Sequence, residues 1–171
     1  LLEAALIACA EHGLNPSTFA ARVTASTMTD VHAAVTAAVA TMQGPLHGGA
    51  SQAAMELLLK AGAEAALDQT LAGMFARKEK VPGFGHRVYQ GKDPRAAVCE
   101  ALAEPAAKRA GETKLISLAR RLEEVMRRDK HLHANLELWV SLVFHLLRMP
   151  TDLFSSEIGR ASCRERVCYV V

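Results

Sequence analysis

Aromatic side chains are scarce: they make up 5% of 171 residues, with one tryptophan, although half the residues are hydrophobic. Alanine supplies much of that apolar count, which favours closely packed helices. Long apolar runs are missing too. None approaches the roughly 20 residues needed to span a bilayer, so no membrane partner is expected. Neither sign of charge dominates; a formal net charge of +2 gives no case for nucleic acid or an anionic membrane surface. The four cysteines have no metal-type spacing. Cys163 and Cys168 are close together but lack partner ligands, so reduced thiols and a cytoplasmic location are expected. The His131-x-His133 pair also lacks a third ligand, so no metal is expected. Neither an initiator Met nor a basic leader precedes Leu1-Leu2-Glu3-Ala4-Ala5-Leu6, which reads as a helix already under way. An N-terminal truncation is therefore expected, and a signal peptide is not.

What is present centres on Lys80 to Arg95, a stretch composed unlike the alanine-rich patterns on either side. Gly83, Gly85 and Gly91 strip side chains from a loop, so backbone can approach a ligand closely. His86 follows two of them. Asp93-Pro94 reads as the N-cap and first residue of a helix, with Arg95 in its first turn. A histidine able to move a proton beside an arginine fork suited to carboxylates suggests an anionic carbonyl substrate. The bland alternative is a glycine-rich turn with a solvent histidine.

The flanking patterns are helical. Residues 1–11 read as a helix end stopped by Gly13, with His12 at the stop and the turn Asn15-Pro16 after it. A single long helix is expected over 17–42, its alanines allowing close approach of a neighbour, either in the core or at a dimer interface. Thr24, Ser26, Thr27 and Thr29 are expected to bond back to helix carbonyls. Gly44-Pro45-Leu46-His47-Gly48-Gly49 breaks the pattern, and a helix follows from about Ala50 to Lys60. His47 precedes its positive end, which disfavours protonation; a neutral imidazole there can donate a hydrogen bond to a developing enol oxygen. A turn-capping histidine is the alternative. Residues 64–79 place Leu67, Leu71 and Phe75 on one stripe. A hairpin, 95–110 and 113–129, breaks at Gly111. Its second helix buries Leu115, Leu118, Ala119, Leu122, Val125 and Met126. Asn135 caps a last helix with Leu136, Trp139, Val140, Val143, Phe144 and Leu147 on one face. Glu137 lies in its first turn, off that stripe, where a carboxylate favours the dipole's positive end.

Four segments carry a resemblance: Glu11 to Phe19, Gly44 to Ala50, Gly83 to Arg95, and Pro150 to Phe154. In this order they resemble the citrate synthase family over about residues 1–155. The resemblance implies an all-α fold. Residues 1–46 would be part of a large helical domain, 47–142 a small helical domain, and 143–155 a return to the large one. Residues 156–171 resemble the translation of a sequencing-library adapter and are expected to be a non-native tail.

The family's chemistry implies a Claisen condensation of acetyl-CoA with oxaloacetate, then hydrolysis of citryl-CoA. His12 and Arg95 would hold oxaloacetate, and His47 and His86 would be catalytic. The backbone of Val81, Pro82, Gly83, Phe84 and Gly85 would wrap coenzyme A. Glu137 stands where the family typically has the aspartate base, one methylene further out. No metal or redox cofactor is implied, and the full-length protein is expected to be a homodimer or higher oligomer. Further arginines used by family members lie beyond the matching segments, so this polypeptide alone is expected to be inactive or nearly so. The alternatives are a 2-methylcitrate synthase acting on propionyl-CoA, a citryl-CoA-cleaving module, and a non-catalytic dimerising fragment.

Overall fold

A computed structural model describes residues 1–10, 13–44, 47–86 and 88–159. Among these the chain is all-α, with no strand; an isolated antiparallel bridge between Phe84 and Ala134 is its one extended pairing.

The helix at the centre is α8, Leu136–Leu146. The sequence assigns it one apolar face. The structure buries Leu136 and every residue from Leu138 to Phe144, Ser141 included, and leaves Leu147 exposed. A helix apolar all round belongs inside, wrapped by others. Ser141 avoids the cost of burial by donating to the Leu138 carbonyl at 2.7 Å. Around α8 pack α1 (Leu2–Ala10), α4 (Gly49–Ala61), α6 (Pro94–Ala110) and α7 (Thr113–Lys130). On α6, Ala96, Cys99, Ala103 and Ala107 are buried at helical spacing. Their short side chains let α6 lie close to α8.

On α7 the buried set is Ile116, Leu118, Ala119, Leu122, Val125 and Met126, with Leu115 half-buried. Its charged face is not wholly solvent: Glu123 Oε1 accepts the Trp139 indole N–H at 2.9 Å, giving the buried tryptophan its polar partner. In α5 (Glu64–Ala76) Leu67 and Leu71 are buried, whereas Phe75 lies at the edge with Lys130 Nζ 4.2 Å above its ring.

The single helix expected over 17–42 is two, α2 (Pro16–Ala25) and α3 (Val31–Met42), packed against each other. The break has a local cause. Ser26 and Thr27 hydroxyls donate to the Val23 and Thr24 carbonyls, Met28 turns left-handed at φ 63°, and Asp30 caps α3 by accepting the Ala33 N–H. The hydroxyls expected to bond back to helix carbonyls do so at Thr24, Ser26 and Thr27, and the last two lie where the helix ends.

After α8 the chain passes a short 3-10 turn at Thr151–Leu153, and residues 154–159 are helical. Phe154 is fully buried, its ring 5.4 Å from that of Phe144. Of the residues expected as a foreign tail, 156–159 continue this helix with Ile158 buried. The remainder, Cys163 and Cys168 among them, lies outside the described residues.

Candidate active site

The N-terminus of α8 and the loop before α6 are fastened together. The Asn135 N–H donates to the Gly83 carbonyl and the Gly85 N–H to the His133 carbonyl, both at 3.0 Å. The Asn135 side chain caps α8, accepting the Glu137 N–H at 3.0 Å, while its amide nitrogen donates to the Gly85 carbonyl at 3.0 Å. The expected cap at 135 is therefore also a clasp. It puts His86, the next residue of the loop, beside the helix that carries Glu137.

The His86 ring is fixed by its own loop. Nδ1 accepts the backbone N–H of Val88 at 3.0 Å and of Tyr89 at 3.1 Å. A nitrogen that accepts cannot carry the proton, so the neutral ring holds it on Nε2, which can donate. Partial burial pulls the imidazole below its usual pKa; Asp93 opposes this and Arg95 adds to it.

Asp93 caps α6 as the sequence predicts, accepting the Arg95 N–H at 2.9 Å. Its carboxylate also takes the Arg95 guanidinium side-on, Nε to Oδ1 at 3.1 Å and Nη2 to Oδ2 at 2.7 Å. Burial pushes the Asp93 acid up. The Arg95 hydrogen bonds and charge, with the Arg95 and Leu136 N–H groups, outweigh it and hold the carboxyl below its ordinary value. One edge of the Arg95 fork is thus occupied from within the chain.

Glu137 is the least compensated acid in the cleft. Its Oε2 is buried with no hydrogen-bond partner among the described residues. Burial raises its pKa to about 7, with Arg95 lowering it and Asp93 raising it further. A carboxylate poised there can exchange a proton near neutral pH.

His47 sits in the turn before α4, its N–H donating to the Gly44 carbonyl at 2.9 Å. The next residue must be glycine for space: a Cβ on Gly48 would come within 2.6 Å of the Met42 carbonyl oxygen. His47 Nε2 lies 2.9 Å from Ser17 Oγ, and Ser17 donates to Asn15 Oδ1 at 2.7 Å. Burial lowers the pKa of the ring, which favours the neutral imidazole. Asn15 also caps α2 through the Thr18 N–H. The sequence marks Asn15-Pro16 as a turn but gives no sign that Ser17 meets His47, because the pair is 30 residues apart. His12 lies outside the described residues.

His47, His86, Arg95 and Glu137 all line one open cleft of about 1730 Å³. Val81, Pro82, Gly83, Phe84 and Gly85 form part of its wall. Together these groups offer a neutral hydrogen-bond donor, a proton-accepting carboxylate and a cation for anionic oxygens. Among the described residues no cluster of His, Cys, Asp or Glu could hold a metal ion, and no helix is long and apolar enough to cross a membrane.

Comparison with known proteins follows the same lines. The family model "Citrate synthase, C-terminal domain" matches residues 1–160, past the expected boundary at 156. A 2-methylcitrate synthase from Shewanella oneidensis is 41% identical over 155 residues, covering 91% of this chain and 41% of that protein. A citrate synthase from Synechocystis is 41% identical over 149 residues, covering 85% and 38%. The chain thus spans about two fifths of the length of these relatives. Among solved structures, citrate synthase from Thermoplasma acidophilum, in a ternary complex with carboxymethyl coenzyme A and oxaloacetate, superposes with a TM-score of 0.88 at 28% identity. That match covers 97% of this chain and 46% of the other. With a family match over nearly its whole length and a shared helical fold, this chain belongs to the citrate synthase family.

Proposed function

We propose that this chain supplies the acid–base centre of a citrate synthase-type Claisen condensation. One observation carries the reading: His47, His86, Arg95 and Glu137, spread over 90 positions of the sequence, line a single cleft. The ionised Glu137 takes a proton from the methyl group of acetyl-CoA, which the thioester already acidifies. His47, neutral, turns its Nε2–H from Ser17 Oγ to the enol oxygen that forms. The enol carbon attacks the carbonyl carbon of oxaloacetate, and His86 Nε2 delivers a proton to the carbonyl oxygen. Arg95 and His12 hold the substrate's carboxylates. Water then cleaves the thioester of citryl-CoA, releasing citrate and coenzyme A. The wall from Val81 to Gly85 lies against the coenzyme A portion.

Residues 1–46 and 143–155 belong on this reading to a larger helical domain and 47–142 to a smaller one, in a cytoplasmic homodimer or higher oligomer. A second reading, 2-methylcitrate synthase with propionyl-CoA, draws on the Shewanella relative, which equals the Synechocystis one in identity. Both use the same proton transfers.

The first half-reaction isolates the claim. The 171-residue chain is given oxaloacetate and either thioester in D2O, and washout of the α-protons is followed by NMR beside release of free thiol. Washout that falls by at least about 100-fold in Glu137→Gln is expected. Washout from either thioester no faster than in Glu137→Gln would overturn the reading. The ratio of rates on the two thioesters chooses between the acyl donors.

A further inference from the structure

Asp93 accepts more hydrogen bonds than a helix cap needs. The residue is 1% exposed. Oδ1 accepts the Arg95 N–H and Nε–H; Oδ2 accepts Arg95 Nη2–H and, at 3.2 Å, the N–H of Leu136. Both oxygens are thus filled, and the last bond crosses from the start of α6 to the start of α8, 43 residues away.

We propose that Asp93 is a positioning residue for the condensation: it orients the Arg95 guanidinium toward the substrate carboxylate and locks Arg95 to the helix end that bears Glu137. This rests on the reading of the cleft as an oxaloacetate and thioester site. With the Nε–Nη2 edge held by Asp93, the donors left to Arg95 are those on Nη1 and the second on Nη2, at the tip of the fork. A substrate carboxylate meets them end-on, in one direction only. An unheld arginine would have to give up its rotamer freedom at each binding event.

Asp93 also offsets the field of Arg95 at Glu137. The groups that act on that acid are Arg95 and Asp93; Cys9 on α1 and Cys99 on α6, which it acts on in turn, are neutral thiols, both raised by burial, Cys99 to about 12. Neutralising Asp93 leaves the arginine charge uncompensated, so the carboxyl at 137 should titrate at lower pH.

The test measures oxaloacetate binding by calorimetry for Asp93→Asn in the native and Arg95→Gln backgrounds. Glu137 titration is followed by NMR of carboxyl-labelled glutamate. Asparagine keeps an oxygen for the cap. The expected result is about tenfold weaker binding in the native background, no more than about twofold in Arg95→Gln, and a downward shift of the Glu137 titration. Equal losses in the two backgrounds, or a Glu137 titration that stays or rises, reduce Asp93 to a cap and overturn the proposal. If the unsubstituted chain binds no oxaloacetate, the substrate reading fails; if it binds and Asp93→Asn binds equally well, that reading stands and the positioning role of Asp93 is overturned. If Asp93→Asn does not fold, Asp93→Ser, which keeps a cap oxygen and vacates the fork, takes the same measurements.

Discussion

The side chain of Asn135 donates to the carbonyl of Gly85 at 3.0 Å, fastening the His86 loop to the first turn of α8. The other end of the same amide caps the Glu137 N–H. The two jobs can be separated by substitution. Asn135→Ala removes both, at a cost of about 1 kcal/mol for the cap and about 1 for the bond to Gly85. Asn135→Asp keeps the acceptor and loses the donor, so urea denaturation should report about half that cost. If Asn135→Asp loses no stability, the bond to Gly85 contributes nothing; if it loses as much as Asn135→Ala, the cap contributes nothing.

The buried acid at 137 makes stability depend on pH. Its folded pKa, raised by burial to about 7, lies above the ordinary carboxylate value. Between those values the folded state holds a proton that the unfolded state has released. Stability from this group is therefore full in mild acid and is lost as pH rises through about 7, on the order of 3 kcal/mol in total. Glu137→Gln cannot ionise. It should melt above the native chain at pH 8 and level with it below pH about 4.5. A gap between the two melting curves that does not change with pH would sink this account. Proton washout from the thioester should follow the opposite limb, rising with pH through about 7 as the carboxylate forms.

Glutamate at 137 reaches one methylene further than the aspartate typical of the resembled family. A displacement of about 1 Å at the reacting atoms can cost on the order of 100-fold in rate. Glu137→Asp is expected to recover part of that in the washout experiment. The same change vacates a buried methylene and should lower stability by roughly 0.8 kcal/mol. Slower washout in the aspartate variant would mean that the local backbone is already set for the longer side chain.

The site was legible in the sequence where chemistry is written in local composition. The caps at 93 and 135 each announce themselves within a few residues, and the structure uses them so, while the glycines at 83 and 85 turn left-handed at φ 85° and 79°. What joins those segments was not legible. The Asn135–Gly85 bond spans 50 residues, Asp93–Leu136 43 and Ser17–His47 30, and no local pattern encodes such a pairing. The fold shows the same division. Periodicity located α7 and its buried stripe, but it gave α8 one apolar face, because Leu138, Ser141 and Leu142 break the stripe until neighbours cover them. It also ran α2 into α3, since alanine-rich segments stay periodic across a break made by serine and threonine hydroxyls.

Gly83 lies where that long-range pairing is tightest. Its φ is +85°, a conformation that favours glycine, and an added Cβ would stand 3.0 Å from Leu138 Cβ and 3.3 Å from Leu138 Cα. The obstacle is a helix backbone inside the core, which cannot step aside as a side chain tip can. Gly83→Ala should therefore cost about 2–3 kcal/mol, from the left-handed backbone and from overpacking. The wall formed by Val81 to Gly85 would be pushed off α8, weakening the binding of a coenzyme A thioester in the same sample. Gly91 is the matched control. It belongs to the same loop, and a methyl added there would meet no atom within 4 Å. Gly91→Ala should stay within about 0.5 kcal/mol of the native chain. Urea denaturation of the pair decides whether the left-handed backbone and the contact with Leu138, rather than loop flexibility in general, require glycine at 83. Equal losses at both positions would rule both causes out.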